Sequence, residues 1–172
     1  MDLALKKLQI EDAESLFEFE LDNRTYFEQM VPSRGDEYFG YESFQNRLDS
    51  LLDEQTKEIS YFYLIKDSEG SILGRINLVD IDEPRSMGHL GYRIGEIHVG
   101  KRIASRSLKL LLEKVLEEIN IKQINAKTTT NNIASQKVLE NNGFEQEGLS
   151  DESIELNGQK LKFVNYTWRA KE

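Results

Sequence analysis

One stretch decides the fold of this chain: Asn131-Asn132-Ile133-Ala134-Ser135-Gln136-Lys137-Val138-Leu139-Glu140-Asn141-Asn142-Gly143-Phe144. Asn132 follows a β-branched run and is a favourable N-cap residue for a helix. Gly143 is a favourable terminator, because glycine readily adopts the left-handed conformation that ends many helices. The stretch therefore predicts a strand at residues 124–130, followed by a short helix at residues 133–142.

A second informative stretch lies upstream: Tyr92-Arg93-Ile94-Gly95-Glu96-Ile97-His98-Val99-Gly100-Lys101-Arg102-Ile103-Ala104. A strand here leads into a long amphipathic helix over residues 103–119, whose first turn presents unpaired N–H groups and a positive dipole end. Gly100 and Ala104 leave room for a phosphate to approach the backbone, and Lys101 and Arg102 add positive charge. The segment predicts an anion site, and the alternative is a basic helix start with solvated side chains.

Outward from these two stretches, hydrophobic periodicity predicts helices at residues 11–22 and 41–52 and strands at residues 4–9, 59–65, 72–79 and 88–94. Two further strands end the chain, with Asn157-Gly158 as a type I′ turn between them. The order predicts an α+β fold with a mixed sheet, in which residues 88–130 form a strand–helix–strand crossover with parallel strands. With no repeat, low-complexity tract or linker, we expect a single domain over residues 1–172.

Composition excludes several classes of function. The chain has 172 residues, a formal net charge of -9 and a pI near 4.9, which argues against a nucleic-acid partner. No apolar run approaches the ~18 residues that a membrane span requires. The absence of cysteine excludes a thiolate metal site and a cysteine nucleophile, and weakly favours the cytoplasm. We expect a cytoplasmic protein without a nucleic-acid or membrane partner.

Both quoted stretches resemble hallmarks of the GNAT superfamily of acyltransferases. Residues 132–144 match Asn-x-x-Ser-x-x-Val-Leu-Glu-x-x-Gly-Phe at full spacing. Residues 99–104 resemble the coenzyme A signature Gln/Arg-x-x-Gly-x-Gly/Ala, as it occurs in the Rim-type ribosomal-protein N-acetyltransferases. Val99 stands where Gln or Arg is usual, and Arg102 replaces the second glycine. We expect Arg102 to require an ordinary helical φ, since it carries a Cβ atom.

The resemblance implies a mixed, mostly antiparallel twisted sheet with helices on both faces. It also implies that the parallel strand pair splays apart and holds the thioester of acetyl-CoA in the gap, without a metal or a covalent intermediate. Backbone N–H groups from Ile94 to Ile97 would polarise the thioester carbonyl. The residues expected to contact acetyl-CoA are Ile94, Ile97, Val99, Gly100, Lys101, Arg102, Ile103, Ala104, Asn132 and Ser135.

The departing thiolate needs a proton. Many relatives supply it from a tyrosine seven positions after the motif asparagine, where this chain has Leu139. Rim-type sequences place a serine three positions after that asparagine, which matches Ser135. The resemblance therefore implies Ser135 as the acid, and a purely structural interpretation is a serine bonded to a helix carbonyl. Tyr92 and Trp168 are expected to line the groove or the core.

The incoming amine must be neutral when it attacks, so a base is needed. His89 is the first candidate, because Rim-type sequences often carry Glu there and histidine titrates near pH ~6.5. His98 and Glu96 are the second and third candidates, while a structural or solvated role remains open for each. Acidic side chains in the amino-terminal helical region, among them Glu28 and Asp36, are expected to attract a cationic amine.

The resulting hypothesis is an acetyl-CoA-dependent N-acetyltransferase that acts by direct attack of a primary amine. The acceptor is either a protein N-terminus or a small molecule, and the protein is either a monomer or a homodimer. The alternative is a coenzyme A-binding module with little or no catalytic activity, which the replacement of glycine by Arg102 and the missing tyrosine motivate.

Overall fold

The computed structural model describes residues 2–32 and 35–171. The helices are α1 (Ala13–Asp22), α2 (Arg24–Glu28), α3 (Tyr41–Thr56), α4 (Ile103–Glu118) and α5 (Ile133–Asn141). The strands are β1 (Ala4–Lys7), β2 (Tyr61–Lys66), β3 (Ile72–Asp82), β4 (Met87–Ile94), β5 (Gln123–Thr129), β6 (Glu145–Leu156) and β7 (Gln159–Arg169). Short 3₁₀ turns occupy Ile10–Asp12, Asp36–Phe39 and Glu96–His98.

Within the described residues, the strands form one seven-stranded sheet in the order β1-β2-β3-β4-β5-β7-β6. The pairing of β4 with β5 is parallel, and the other neighbouring pairs are antiparallel. The predicted α+β class and the parallel crossover through α4 are therefore confirmed. The structure adds α2, which the periodicity did not predict because it spans little more than one turn.

Helices cover both faces of the sheet, as expected. On one face, α4 and α5 bury residues such as Leu108, Leu111 and Leu139 against Ile76 and Tyr166. On the other face, α1, α2 and α3 bury a second cluster that includes Leu16, Phe27, Phe44 and Leu48. Alternate residues of β4 therefore point toward different helix layers. Leu90, Tyr92 and Ile94 lie on the α4/α5 face, whereas His89, Gly91 and Arg93 lie on the α1–α3 face.

Candidate active site

The parallel pair of strands opens into a cleft at its carboxyl end. β4 and β5 are paired only from Met87 opposite Gln123 to His89 opposite Asn125. Beyond His89, β4 remains paired with β3 as far as Ile94, and β5 remains paired with β7. Backbone groups that β4 directs toward β5 are consequently without a strand partner after this point. The expected splay is present, and its edges are suited to a ligand that carries amide groups.

The loop between β4 and α4 has two residues in the left-handed region. Gly100 has φ 82°, and Arg102 has φ 61° with ψ 19°. The expectation that Arg102 keeps an ordinary helical φ is therefore wrong. Arg102 is the N-cap residue of α4 and lies outside the helix, so the chain keeps at this position the backbone conformation that glycine would adopt. The substitution of glycine changes the side chain but preserves the turn.

The amino-terminal turn of α4 presents backbone donors next to this loop. A backbone bond of 3.1 Å runs from the Arg106 N–H to the Arg102 carbonyl, so the N–H groups of Ile103, Ala104 and Ser105 precede the regular helical ladder. The exposed side chains of Lys101 and Arg102 lie beside them. Free donors, the positive helix end and two cations form a fitting environment for a pyrophosphate.

The backbone between β4 and the loop is partly engaged by the protein itself. The Gly95 N–H donates to the Leu73 carbonyl at 2.8 Å, and the Glu96 N–H donates to Asn23 Oδ1 at 2.9 Å. These two groups are thus occupied within the described structure. Of the stretch expected to polarise a thioester carbonyl, Ile94 and Ile97 are the better candidates.

Helix α5 has a well-defined cap at each end. Asn132 Oδ1 accepts a bond of 3.1 Å from the Ser135 N–H, which gives the predicted N-cap. At the other end, Gly143 has φ 85°, its N–H donates to the Glu140 carbonyl and the Phe144 N–H donates to the Leu139 carbonyl. This pair of bonds is a Schellman motif. Both predicted caps are therefore present, and they fix the orientation of Ser135 relative to the cleft.

The two sequence motifs are joined directly. Asn142 Nδ2 donates to the carbonyl and to Oγ of Ser105 at 3.3 Å and 3.1 Å, and to the Val138 carbonyl at 2.9 Å. Ser105 belongs to the first turn of α4. The end of α5 is thereby held against the start of α4, so the phosphate loop and the Ser135 helix keep a defined separation.

Ser135 makes a contact that the sequence did not predict. Its Oγ lies 2.7 Å from Tyr92 Oη, so the two hydroxyl groups share a hydrogen bond. Burial raises the pKa of Tyr92, and the hydrogen bond to Ser135 partly offsets this effect. A serine bonded to its own helix is not what the structure shows. The apolar alternation of β4 was the available signal, because it places Tyr92 on the α5 side. Leu139, at the position where many relatives carry the tyrosine, is buried in the core.

The three candidate bases lie in different places. His89 is exposed at the last position where β4 pairs with β5, on the α1–α3 face and thus on the face opposite Tyr92. Glu96 is exposed, and its charge contributes to raising the pKa of Tyr26 on α2, after the larger effect of burial. Both therefore lie toward the amino-terminal helices, where an acceptor could approach the cleft.

His98 has a different environment. Its Nδ1 atom is buried and has no hydrogen-bond partner in the described structure. Burial lowers the pKa of His98, Lys101 lowers it further, and Asp67 in the β2–β3 turn partly opposes them. Asp67 belongs to the β2–β3 turn and Lys101 to the phosphate loop, so His98 lies near both of these segments rather than with His89 at the origin of the cleft.

A shallow, open depression lies between α2, the Asp36–Phe39 turn and β4. Its lining includes Phe27, Tyr38 and Phe39, together with Arg24 and Arg93. Aromatic side chains therefore line this depression on the α1–α3 face.

Two acids of that region lie beside one arginine. Glu28 Oε1 and Asp36 Oδ1 both accept hydrogen bonds from Arg24, at 2.8 Å and 2.6 Å. The Asp36 side chain remains 96% exposed, and the single charge of Arg24 offsets only one of the two carboxylate charges. The expectation that acids of this region attract a cationic amine therefore stays a prediction.

A buried ion cluster underlies the same face. Glu20 is 2% exposed and accepts hydrogen bonds from Arg75 and, at 3.4 Å, from Arg93. The Arg93 guanidinium also lies 4.8 Å from the centre of the Phe27 ring. The cluster connects α1, β3 and β4, and it fixes the side chain of Arg93 at the wall of the depression.

None of the helices within residues 2–32 and 35–171 combines the length and apolar character needed to cross a membrane. The same residues contain no group of three or more His, Asp or Glu side chains suited to a metal ion.

A splayed parallel pair with a glycine-containing loop at the start of the following helix defines the class of acyl-CoA-dependent acyltransferases. Residues 2–145 match the family model described as the acetyltransferase (GNAT) domain. The chain belongs to this family, so it is an acyltransferase, and the family resemblance read from the two motifs is confirmed.

Known proteins agree with this assignment. The chain is 27% identical over 156 residues to the "Probable N-acetyltransferase YjcK" of Bacillus subtilis, covering 90% of this chain and 86% of that protein. The fold matches the ribosomal-protein-S5-alanine acetyltransferase of Vibrio fischeri with a TM-score of 0.90 and 23% identity, over 98% of this chain and 93% of the other. It also matches RimL, a ribosomal L7/L12 alpha-N-protein acetyltransferase solved with coenzyme A, with a TM-score of 0.87 and 21% identity, over 97% and 93%.

Proposed function

We propose that this chain is a single-domain enzyme that transfers the acetyl group of acetyl-CoA to a primary amine by direct attack. The observation that carries the proposal is the cleft between β4 and β5, which has an anion-binding loop at one end and the Tyr92–Ser135 hydrogen bond along it. Bound acetyl-CoA supplies the activated acyl group. The residues of the chain supply position, charge and proton transfer.

Two parts of the chain support binding. The loop at residues 99–104 and the first turn of α4 offer N–H donors and cations to the pyrophosphate. The free edge of β4 and the cap of α5 border the path toward the acyl end, and Ile94, Ile97 and Asn132 contribute to it. Because Arg102 adopts a left-handed φ, the loop keeps the turn that a glycine at this position would allow. The replacement of glycine by Arg102 is therefore no longer an argument for the non-catalytic alternative.

Acyl transfer also requires that one proton leaves the amine and that one reaches the departing sulfur. His89 and Glu96, toward the amino-terminal helices, are suited to accept a proton from the attacking amine. Ser135, on the α5 side, is suited to donate a hydrogen to the departing sulfur. This separation allows the amine to enter from one face while the thiol leaves along the other.

The acceptor is a primary amine of a protein N-terminus or of a small molecule. The names of the S5-alanine and L7/L12 enzymes support the first class for this chain, because their folds match it over nearly the whole length. The depression beside Arg24 and Arg93, with its aromatic lining, is our candidate for the acceptor site.

Thermal unfolding with and without acetyl-CoA tests the binding step. Ligand at about 100 times its dissociation constant stabilises a protein by about 2.7 kcal/mol. Lys101→Glu reverses a charge in the loop and should weaken binding, whereas Lys109→Glu makes the same change at an exposed position further along α4 and should not. Equal effects of the two variants, or no stabilisation of the wild-type protein, would contradict the proposed site.

Release of free coenzyme A tests catalysis. The assay uses a panel of small amines and of peptides with free N-termini, and we expect acetylation of at least one of them. Binding of acetyl-CoA without release of coenzyme A on any amine would instead support the non-catalytic module. Ser135→Ala should lower kcat roughly 100-fold with little change in acetyl-CoA affinity, and an unchanged kcat would exclude Ser135 as the acid.

A further inference from the structure

The hydrogen bond between Tyr92 and Ser135 crosses the cleft. Tyr92 belongs to β4 on one side, and Ser135 belongs to α5, the helix that follows β5 on the other side. The bond of 2.7 Å is not needed to start α5, because Asn132 already caps that helix through the Ser135 N–H. The contact therefore acts on the side chain of Ser135 rather than on its backbone.

The chemistry of the two hydroxyl groups indicates the direction of this bond. Each hydroxyl has one hydrogen, so Ser135 can donate into the cleft only if its oxygen accepts the bond from Tyr92. A phenol is a better donor than an alkyl hydroxyl, and its oxygen is a poorer acceptor because a lone pair is delocalised into the ring. Burial raises the pKa of Tyr92, so the phenol keeps its hydrogen at neutral pH.

We propose that Tyr92 is a positioning residue, which donates its phenolic hydrogen to Ser135 Oγ and thereby directs the serine hydrogen toward the leaving sulfur. The inference depends on the acetyl transfer proposed above. Without Tyr92, the Ser135 hydroxyl is free to rotate toward a helix carbonyl, a bond that helical serines commonly form. Tyr92 thus determines how often the hydrogen of Ser135 faces the cleft.

The proton balance of this step is complete. As the carbon–sulfur bond breaks, the sulfur takes the hydrogen of Ser135 Oγ, and the bond from Tyr92 stabilises the charge left on that oxygen. The serine oxygen then regains a proton from solvent, which has received one from the amine nitrogen by way of the base, His89 or Glu96. Over one turnover, the nitrogen loses one proton and the sulfur gains one, while Tyr92 and Ser135 are unchanged.

A kinetic double-mutant cycle tests the inference. Tyr92→Phe keeps the ring, which packs against the α4/α5 core, and removes only the hydroxyl. We expect kcat to fall about tenfold with an unchanged KM for acetyl-CoA. In the Ser135→Ala background, the same change should have almost no further effect, because Tyr92 acts through Ser135. An equal tenfold loss in both backgrounds, or no loss in the wild-type background, would overturn the inference.

Tyr166→Phe is the matched control. Tyr166 is buried in the same core, and its hydroxyl donates to Glu140 Oε2 at 2.8 Å, away from the cleft. This variant also loses a buried tyrosine hydrogen bond, and we expect its kcat to be unchanged. A loss equal to that of Tyr92→Phe would mean that the effect comes from general loss of stability, and would overturn the specific role of Tyr92.

A spectroscopic measurement tests the contact without turnover, so its failure can be distinguished from failure of the proposed function. In protein labelled with ¹³C at the tyrosine ζ carbon, the Tyr92 signal is identified by its loss in Tyr92→Phe. We expect this signal to shift when coenzyme A is added to the wild-type protein, and to shift much less in Ser135→Ala. The same shift in both proteins would overturn the coupling of Tyr92 to the ligand through Ser135.

Discussion

The backbone conformation of Arg102 in the phosphate loop can be tested by measuring the free energy of unfolding. Its φ of 61° lies in the left-handed region, where a residue with a Cβ atom loses about 1–2 kcal/mol. Arg102→Gly removes that cost. Glycine also gives the unfolded chain more conformational freedom, and this effect destabilises the folded state by about 0.5–1 kcal/mol. We expect a net gain of roughly 1 kcal/mol in the free energy of unfolding, which for a chain of this size raises Tm by roughly 2–4 °C.

Arg102→Ser is the matched control, because it removes the same charge but keeps the Cβ atom. At an ordinary N-cap, serine is better than glycine by a few tenths of a kcal/mol. At a left-handed φ this order is inverted, so Arg102→Gly should be the more stable variant. Thermal unfolding of both proteins, followed by circular dichroism at one pH and ionic strength, measures the difference. If Arg102→Ser is equally or more stable, the left-handed start of α4 is refuted.

Three further predictions concern stability. Glu20→Gln leaves two partly buried arginines without their anion and should cost about 3–5 kcal/mol in urea unfolding; a loss below about 1 kcal/mol would contradict the ion cluster. Asn132→Ala should cost about 1 kcal/mol through loss of the α5 cap, whereas the same change at exposed Asn131 should cost less. Folding lowers the pKa of His98, so the unfolded chain takes up this proton at a higher pH than the folded chain does. The free energy of unfolding of the wild-type protein should therefore fall relative to that of His98→Gln as the pH decreases below 6.5. Parallel pH profiles of the two proteins would contradict this.

Much of the fold could be predicted because local signals agreed with the final structure. The type I′ turn at Asn157-Gly158 is present, with φ of 52° and 78°. The helices α4 and α5 begin where the sequence placed their first residues. These features depend on a few neighbouring residues, so the sequence contains the information needed to predict them.

The start of α4 shows where local inference failed. The sequence suggested that a residue with a Cβ atom would avoid a left-handed φ, yet the surrounding chain holds Arg102 in that region. The loop enters from β4, whose end is fixed by the Gly95 and Glu96 backbone bonds, and it continues into a helix packed on the core. A conformational cost of this size is smaller than the packing energy of that helix, so tertiary structure prevails.

The candidate site was predicted in part. Ser135 and the phosphate loop came from motif spacing, and the sequence placed Tyr92 only as a residue of the groove or core. The bond between Tyr92 and Ser135 was out of reach, since these residues are far apart in the chain and meet only after β4 and β5 have paired and separated. The pairing of Glu28 and Asp36 with Arg24 was equally inaccessible, because charge counting does not show which acids lie beside an arginine.

The sequence by itself determined the order of the strands and of helices α1, α3, α4 and α5, the caps of α5, the loop that leads into α4 and the family. Each of these depends on residue types at fixed short spacings, which act through backbone conformation and local hydrogen bonds. Only the tertiary structure decided that Tyr92 contacts Ser135, that His89 and His98 lie in different environments, and that Arg102 is left-handed. Those properties depend on which distant segments pack together, and they follow from burial and strand pairing across the whole sheet.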